Sequence, residues 1–358
     1  MSATEFDFAV FGSSPLPQLL ASLLASQHGH RVVLIGESQA GYRLPRGIDL
    51  SVAPLTRPES WALLTALLPE TTRLLTRIGG RMAWGRVDPI FFARGQFHGE
   101  ALSHVHHMAQ GFGLAADPVP SSLLGADRRG VVMRDAIRIN RAVLETGIDR
   151  WLERLGIRRI VPQRVEIATD GSATVVSGGA SFSARQAVLA EDDAIMAWLP
   201  LRQWPSLFHR RQCASVLTTP TQALAANVML ELNSGSVLTQ QAEGGIAAFG
   251  PGELSVFSDH LQTLLGQDRQ VEQAGQTGFQ TLGTADGAPA VGRVAGVGAD
   301  VVAGFGAAGA FFAPALARWL AGEASASEAA WFEARLVNRP RRGPAVDEYL
   351  PGRPGVAE

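Results

Sequence analysis

Residues 6–35 have the sequence FDFAVFGSSPLPQLLASLLASQHGHRVVLI, which predicts a strand, a tight turn, a helix and a second strand. The apolar runs Phe6–Phe11 and Arg31–Ile35 have the composition of buried strands. Gln18–Gln27 is helical in character, and Gly29 ends it. A strand–helix–strand unit of about 30 residues is the building block of a parallel sheet. The sequence therefore predicts an α/β protein that opens with such a unit.

The composition predicts a folded chain with a large core. The chain has 358 residues, and at about 150 residues per domain this length predicts two folding units. It is 46% hydrophobic and 18% charged, which excludes a disordered or coiled-coil protein. The 33 acidic residues slightly outnumber the 31 basic ones, so there is no basic excess to bind a phosphate backbone. Nucleic acid is therefore not predicted as a partner.

The cysteine content and the N-terminus predict a cytoplasmic protein. Cys213 is the only cysteine, so the chain cannot form an internal disulfide or a cysteine-based zinc site. The first residues carry acids before the apolar run, which is the wrong charge order for a secretory signal. The apolar stretch Phe8–Ala25 is interrupted by Pro15 and Pro17, so it is not expected to span a membrane.

The middle of the chain predicts helices and strands in alternation. A helix is predicted over Trp61–Ile78 with a break near Pro69, and another over Arg134–Leu155. Arg81–Arg129 has mixed composition and is predicted to form strands and loops of a second domain. The strands predicted next are Ile157–Val161, Arg164–Thr169, Ala173–Ser177 and Gln186–Ala190.

The last part of the chain predicts a second sheet and a return to the first one. Cys213–Val256 alternates short apolar runs with turn signals, which predicts an antiparallel meander, and a short helix is expected over Asp259–Leu265. Asp300–Ala303 is a predicted buried strand, and a helix follows over Ala310–Leu320. The tail 338–358 has too little apolar surface for a core of its own, so it packs over the body or is disordered.

The first turn contains a degenerate dinucleotide fingerprint. Gly12 keeps the tight turn at the place where N–H groups of a helix start bind a pyrophosphate, and Ser13 and Ser14 follow it. Ser14 and Pro17 stand where the fingerprint has its other glycines. Glu37 follows the second strand, where the fingerprint has an acidic residue that binds a ribose. The turn therefore either binds a dinucleotide or belongs to a strand–helix–strand unit that binds nothing.

A second group of motifs lies near the C-terminus. Residues 286–292, DGAPAVG, precede the strand at 300–303, and residues 304–309, GFGAAG, follow it. Together with the opening unit and the hairpin that ends in VLA at 188–190, these motifs resemble the D-amino-acid-oxidase-like family of FAD-dependent oxidoreductases, which includes the glycine and sarcosine oxidases. The resemblance covers nearly the whole chain.

The resemblance implies a Rossmann-like FAD-binding domain and a second, substrate domain with a mixed or antiparallel sheet. It implies non-covalent FAD, because Cys213 is far from the position at which some members attach the flavin. The residues that the resemblance and the first turn indicate as cofactor-binding are Gly12, Ser13, Ser14, Glu37, Arg43, Arg46, Arg164, Val165, Gly304, Gly306, Ala307, Ala308, Gly309 and Ala310.

Two departures from the family pattern concern charge. Where the family has a small-residue turn, this chain has Glu191, Asp192 and Asp193, which places carboxylates near an anionic cofactor. Where members that oxidise amino acids have an arginine for the substrate carboxylate, this chain has Gln280. A neutral amide cannot form the same charge-assisted pair. A free amino acid is therefore a poor prediction for the substrate unless another arginine, such as Arg94, replaces the missing one.

Four histidines lie close together at positions 98, 104, 106 and 107. In an extended segment His104 and His106 would point to the same side. We interpret them as a solvated or substrate-lining cluster rather than a metal site, since only Glu100 could add a carboxylate. Phe92 is a further candidate for the substrate pocket, and no metal site is predicted.

The expected architecture is a discontinuous FAD-binding domain with the substrate domain inserted. The predicted ranges are 1–80, 130–200 and 283–337 for the FAD-binding domain, 81–129 and 201–282 for the substrate domain, and 338–358 for the tail.

Three functional hypotheses follow. The first is an FAD-dependent oxidoreductase that oxidises a C–N bond of an amine by hydride transfer to the flavin. The second is a flavin-dependent maturation enzyme or monooxygenase that acts on a large or protein-bound substrate. The third is a non-catalytic subunit that stabilises a partner chain.

Overall fold

The computed structural model describes residues 4–37, 44–125, 127–266, 269, 271–340 and 347–349. The strands are β1 Thr4–Phe11, β2 Val32–Ile35, β3 Trp84–Val87, β4 Ile90–Arg94, β5 Ala116–Val119, β6 Arg128–Met133, β7 Ala136–Ile139, β8 Arg158–Ile160, β9 Arg164–Ile167, β10 Ala173–Ser177, β11 Ala180–Leu189, β12 Phe208–Thr218, β13 Val228–Glu231, β14 Val237–Gln240, β15 Ile246–Pro251, β16 Gln273–Thr284, β17 Ala290–Arg293 and β18 Asp300–Ala303. The α-helices are α1 Pro15–Ser26, α2 Pro58–Gly79, α3 Gln96–Gly111, α4 Ser121–Leu124, α5 Arg141–Arg154, α6 Asp192–Trp198, α7 Leu254–Leu265, α8 Ala313–Leu320 and α9 Ala326–Glu333. Short 3₁₀ helices cover Gly80–Ala83, Leu201–Gln203 and Gly306–Phe312.

The first sheet is mainly parallel. Its strand order is β17, β18, β11, β1, β2 and β8, while β10 pairs with the first half of β11 and β9 pairs with β10. β1 is parallel to β2 and β11, β2 is parallel to β8, and β11 is parallel to β18. The predicted strand–helix–strand unit is confirmed as β1, α1 and β2.

The sequence of β1 is apolar because both of its faces are covered. Phe8 and Val10 belong to a core that also holds side chains of α1, α2, α5 and α8. Ala9 and Phe11 belong to a second core, shared with β10, β11 and α6. A parallel strand that is covered on both faces has to be apolar at nearly every position.

The ends of β1 and β2 approach each other so closely that only glycine is accommodated. Gly12 follows β1 with a φ of +139°, and a Cβ at this position would lie 2.7 Å from Cγ of Pro17 and 2.9 Å from Cβ of Glu191. Gly36 follows β2 with a φ of +155°, and a Cβ there would lie 2.8 Å from the carbonyl oxygen of Gly12. A side chain at either position would force the strand ends apart.

The second sheet has the order β16, β12, β15, β14, β13, β4, β6 and β5. Its neighbours are antiparallel, apart from the parallel pair β13 and β4. The predicted meander over Cys213–Val256 is confirmed by β12, β13, β14 and β15. The predicted α/β class, with a Rossmann-like parallel sheet and a second mixed sheet, is also confirmed. The exact domain boundaries stay a prediction.

The predicted break of the second helix is wrong. α2 continues through Pro69, which lies on the exposed side of the helix. A proline removes one backbone donor, and the carbonyl that loses its partner on an exposed face can be hydrated by water instead.

The prediction of strands and loops over Arg81–Arg129 is wrong for its central part, which forms α3. The buried positions Gly99, Leu102, Val105 and Ala109 recur at helical spacing. This signal is weak in the sequence because one of the four positions is a glycine and histidines lie between the others.

Two other helices begin later than predicted. Ala136–Ile139 is the strand β7, and α5 begins only after Asn140, whose side chain accepts a hydrogen bond from the N–H of Val143. Gly306–Phe312 is a 3₁₀ helix, so α8 begins at Ala313.

The described part of the tail is held against the body by a buried ion pair. Glu348 accepts a hydrogen bond from Arg335 at 2.7 Å, and the hydroxyl of Ser60 in α2 donates to the same carboxylate. The guanidinium of Arg335 also lies 4.0 Å from the ring centroid of Trp331. These contacts hold the neighbouring Tyr349 beside Gly306.

Candidate functional site

The carboxyl ends of β1, β11 and β18 meet at one edge of the first sheet. The chain leaves β1 toward β2 on one side and later returns to β11 on the other, so the strand order reverses between β1 and β11. Ligands of open α/β sheets bind at such a reversal. A cavity of about 1910 Å³ lies there, between these strand ends and the strands β12, β14, β15 and β16 of the second sheet.

The first turn reaches the cavity through Ser14, Pro15 and Leu16. α1 begins at Pro15, and no side chain caps its first turn. The N-terminus of a helix attracts anions because its first N–H groups lack partners within the helix. Pro15 and Pro17 have no N–H, so this helix start offers fewer donors than usual.

One of the remaining donors is already used by an acidic side chain. The backbone N–H of Ser13 donates to Oε2 of Glu191 at 2.6 Å. The backbone N–H of Ala190 donates to the carbonyl oxygen of Phe11 at 2.9 Å, which fixes the end of β11 beside the end of β1. The carboxylate of Glu191 thus lies at the start of α1, against Gly12 and Ser13.

Burial raises the pKa of Glu191, and the neighbouring charge of Asp193 acts in the same direction. The N–H of Ser13, the hydroxyl of Ser14 and the charge of Arg141 act in the opposite direction. The net pKa is above the ordinary value of a glutamate, because burial is the largest effect.

The two aspartates that follow also line the cavity. Asp192 accepts a hydrogen bond from the backbone N–H of Leu282 in β16 at 3.0 Å. Burial raises the pKa of Asp192 to about 6, and the charges of Glu191 and Asp193 contribute. The structure therefore places all three predicted acids at the cavity.

Two arginines provide positive charge on the same side. Nη1 of Arg46 lies 3.2 Å from Oδ2 of Asp193, and the guanidinium is 5.5 Å from the ring centroid of Phe279. Nε of Arg141 lies 2.6 Å from Oδ2 of Asp49. Both arginines line the cavity together with the three acids, so an anionic ligand there would meet charges of both signs.

The loop after β18 forms a wall of small residues. Gly304, Gly306, Ala307, Gly309 and Ala310 line the cavity, whereas Ala308 is buried behind them. The carbonyl oxygen of Ala307 accepts the N–H of Leu50 at 2.8 Å, which fixes the wall in place. A flat ligand could lie directly against this wall because no long side chain projects from these five positions.

The opposite wall carries Gln280 on β16, as well as Arg211 on β12. Arg211 is paired with Thr281 across the two strands, whereas Gln280 is paired with Gln212, so Arg211 and Gln280 are on opposite faces of this strand pair. Arg94, which was the expected replacement for the missing arginine, lies in a separate cavity with Arg128 and not at this site.

Tyr349 contributes a buried hydroxyl group. Among the described residues this hydroxyl has no hydrogen-bond partner, although it is shielded from solvent. Burial raises the pKa of Tyr349 well above its ordinary value, so the group is a neutral donor. Tyr349 lines the cavity next to the small-residue wall at Gly306.

Three predicted pocket residues do not line the cavity. His104 and His106 were predicted in a region of strands and loops, but both lie on α3. His104 Nε2 is 3.0 Å from the carbonyl oxygen of Thr56, and His106 Nε2 is 2.9 Å from that of Ala116. Phe92 is only 1% exposed and packs in a core with α7. Backbone carbonyls engage the two histidines and core side chains surround Phe92, and a role of the three in substrate binding stays a prediction.

Four other predicted cofactor residues lie away from the cavity or outside the described residues. Arg164 and Val165 are on β9, in the hairpin at the edge of the first sheet. Glu37 is an exposed residue after β2. Arg43 lies outside the described residues. The roles of these four residues stay predictions.

Sequence reasoning missed Arg211, Arg141 and Tyr349. Arg211 was detectable in principle, because strict alternation along β12 places residues 209 and 211 on the same face. Arg141 begins α5, and the predicted helix start at Arg134 concealed that position. No sequence signal indicates that Tyr349 returns to the site, since its placement depends on the distant pair Arg335 and Glu348.

The described residues contain neither a metal-binding cluster nor a membrane-spanning helix. No three histidine, cysteine, aspartate or glutamate side chains within the described ranges converge in a way that could hold a metal ion. No helix in that part of the chain is both long and apolar enough to cross a membrane.

Solved structures resemble this chain over almost its whole length. Glycine oxidase from Geobacillus kaustophilus is 15% identical with a TM-score of 0.65, and the match covers 97% of this chain and 99% of that one. L-Proline dehydrogenase from P. horikoshii is 13% identical with a TM-score of 0.69, covering 92% and 97%. L-Amino acid deaminase from Proteus myxofaciens, solved with anthranilate, is 13% identical with a TM-score of 0.69, covering 96% and 95%.

The chain has the glycine oxidase fold. The predicted resemblance to the D-amino-acid-oxidase-like family is thereby confirmed at the level of the fold. No family model and no curated protein matches the sequence. In the glycine oxidase fold of this chain, the first sheet supplies the strand ends and the small-residue wall, and the second sheet supplies the opposite wall with Gln280 and Arg211.

Replacing Asp192 with Asn should stabilise the protein at neutral pH. The pKa of Asp192 is about 6 in the folded chain and 3.8 as its ordinary value, so the unfolded chain releases this proton at lower pH. The free energy of unfolding therefore falls as the pH rises from about 4 to above 6. We expect Asp192→Asn to gain on the order of 2 kcal/mol at about pH 7.5 and less at about pH 4.5, as measured by urea unfolding.

The exposed Asp259 in α7 provides the matched control. Asp259→Asn removes the same charge without a buried carboxyl, so its effect should stay within about 0.5 kcal/mol at both pH values. A gain for Asp192→Asn that does not change with pH would contradict the assignment of a raised pKa.

Proposed function

We propose that this chain is a flavin-dependent oxidoreductase that binds FAD non-covalently and oxidises a C–N bond of an amine or amino acid. The observation that carries the proposal is the cavity at the strand-order reversal, closed on one side by the wall Gly304–Ala310. The similar structures named above are an oxidase, a dehydrogenase and a deaminase of amino acids, which supports this reaction class.

A flavin ring would fit at the side of the cavity that the small-residue wall forms. Gly304, Gly306, Ala307, Gly309 and Ala310 leave a surface without long side chains, with Phe305 as the only large residue of this loop at the cavity. Tyr349 holds a buried hydroxyl that can donate to a ligand oxygen or nitrogen. Arg46 lies on the same cavity and can balance negative charge on a cofactor. When bound, FAD would accept a hydride from the carbon beside the amine nitrogen and later pass the electrons to an acceptor.

The diphosphate of FAD would lie at the start of α1. Ser14 and Leu16 line the cavity there, and Arg141 adds positive charge. The residues fit an anion at this position only when the carboxylate of Glu191 gives up its contact with Ser13.

The state of Cys213 supports non-covalent binding. The thiol is 3.4 Å from the hydroxyl of Thr281, only 8% of the residue is exposed, and it does not line the cavity. Burial raises the pKa of Cys213, so little of the reactive thiolate forms near neutral pH.

Arg211 is the proposed contact for a substrate carboxylate. It lines the cavity, and a guanidinium can hold a carboxylate by two parallel hydrogen bonds. The chain's own residues would thus bind and orient an amino-acid substrate with its amine toward the small-residue wall, and the two sheets would exclude water from it.

A second candidate function is favoured by a specific contact. The hydrogen bond between Ser13 and Glu191 uses a donor that a dinucleotide needs, which is what a non-catalytic relative of the fold would show. Such a protein would not bind FAD under any condition of pH or concentration.

Ala307→Leu tests the proposed cofactor position. Ala307 is partly exposed to the cavity, so the larger side chain would project into the space in front of the wall. We expect the dissociation constant of FAD, measured by quenching of its fluorescence, to rise at least about tenfold, since each clashing methylene costs on the order of 1 kcal/mol or more.

Ala62→Leu is the control, because Ala62 lies on the exposed face of α2 and away from the cavity. It should bind FAD as the unmodified protein does. Equal affinity of Ala307→Leu and the unmodified protein would show that FAD does not lie against this wall.

Arg211→Gln tests the proposed substrate contact. With sarcosine and L-proline as probes, we expect KM to rise about 10-fold to 100-fold, because a charge-assisted hydrogen bond to a carboxylate is lost. Dimethylamine and pyrrolidine lack the carboxylate, so their kinetics should not change. The measurement is the steady-state rate of substrate oxidation, with an artificial electron acceptor to reoxidise the flavin, over a range of substrate concentrations.

Arg210→Gln is the matched control on the same strand. Arg210 points to the other face of β12, where it lies 5.0 Å from the ring centroid of Trp204. An equal rise of KM in both variants, or none in Arg211→Gln, would contradict the assignment. No turnover of any of the four probes would exclude small secondary amines and their amino acids as substrates.

A further inference from the structure

Glu191 lies beside the N-terminus of α1, at the point where the strand order of the first sheet reverses. The N-terminus of a helix attracts anions. Its backbone belongs to the turn between β11 and α6, and its side chain reaches across to β1 and α1. The N–H of Ser13 donates to it at 2.6 Å, which is shorter than an ordinary N–H···O hydrogen bond. The carboxylate therefore already binds this chain's helix start in the way that a phosphate oxygen would.

An anionic ligand would have to compete with Glu191, because the first turn has few N–H donors. Pro15 and Pro17 cannot donate, so the N–H groups of Ser13, Ser14 and Leu16 are the donors of this turn that can face an anion. Glu191 takes the first of them. A diphosphate at the same helix start would lose that donor and would also lie beside a like charge.

The residues around Glu191 fix its side chain, but on balance they do not favour its negative charge. From its own turn it faces Asp192 and Asp193, from α5 it faces Arg141, and Ser13 and Ser14 face it from the first turn. Arg46 is paired with Asp193, and Arg141 is paired with Asp49 and also interacts with Glu145. Both arginines are therefore shared with other acids, and burial favours the neutral form of Glu191.

We propose that Glu191 is an internal anion that occupies the diphosphate position of the cofactor site and has to leave Ser13 before a dinucleotide binds. This inference rests on the proposed FAD-binding function. It assigns to Glu191 the control of cofactor affinity, and it explains why a chain with this fold carries three acids where a small-residue turn is expected.

Protonation is one way in which Glu191 would lose its hold on Ser13. A neutral carboxyl accepts hydrogen bonds more weakly and does not repel a phosphate. FAD binding by the unmodified protein should therefore strengthen as the pH falls through the raised pKa of Glu191. A protein with an uncharged residue at this position should show a smaller dependence, which then reflects Asp192.

The test compares FAD affinity in the unmodified protein, Glu191→Gln and Glu191→Ala. We expect both variants to bind FAD at least about tenfold more tightly at about pH 7.5, because a like charge close to the phosphates is removed. The gain should shrink at about pH 5. The probe is FAD itself, followed by quenching of its fluorescence, and thermal unfolding of each apoprotein shows that the variants fold.

Glu153→Gln is the control for net charge, since Glu153 is an exposed residue of α5 outside the cavity. It should leave the affinity unchanged. If the unmodified protein and both Glu191 variants bind FAD with equal affinity, the inference is wrong and the proposed function stands. If none of the three binds FAD at either pH, the proposed function fails and the inference fails with it.

Discussion

The close approach of the ends of β1 and β11 is the constraint on which the rest of the site depends. β1 lies between β2 and β11, so the chain has to leave it in one direction and return on the other side. This reversal opens a crevice at the carboxyl ends of the strands. Gly12 makes the crevice possible, because any side chain there would collide with Pro17 and Glu191.

The crevice combines a surface that suits a flat ligand with an unusual balance of charge. Small residues after β18 and the second sheet form its walls, and Tyr349 adds a donor without a partner among the described residues. Three acids follow β11 directly, and Arg46 and Arg141 offset them only in part. The fold therefore favours a cofactor at this place, whereas the acidic turn opposes one that is an anion.

Much of the fold was predictable because it follows from local patterns. The unit β1, α1 and β2 shows in its apolar runs and its glycine, and the hairpin and the meander show in turn signals between short strands. The small-residue wall was also predictable, because the glycines and alanines of GFGAAG carry no long side chains and let a flat ligand approach the backbone. α3 was not, because its buried face includes Gly99 and histidines interrupt the apolar pattern.

The site was less predictable because its contacts join residues far apart in the chain. The acid at position 191 was visible, but its partner Ser13 lies 178 residues away. Arg211 belongs to another strand than its cross-strand neighbour Thr281, and Tyr349 is placed by an ion pair between residues 335 and 348. Single-sequence patterns carry no information on such pairings, so Arg211 was missed, whereas His104 and His106 were predicted for the substrate pocket.

The most direct test of the proposed function is the visible absorption spectrum of the purified protein. The protein is incubated with excess FAD at about pH 6, separated from free FAD by gel filtration, and then unfolded. If the protein binds FAD non-covalently, flavin bands appear at nearly one equivalent, and the whole chromophore is released on unfolding. A protein that stays colourless after this treatment would contradict the proposed function and would favour a non-catalytic role for this chain.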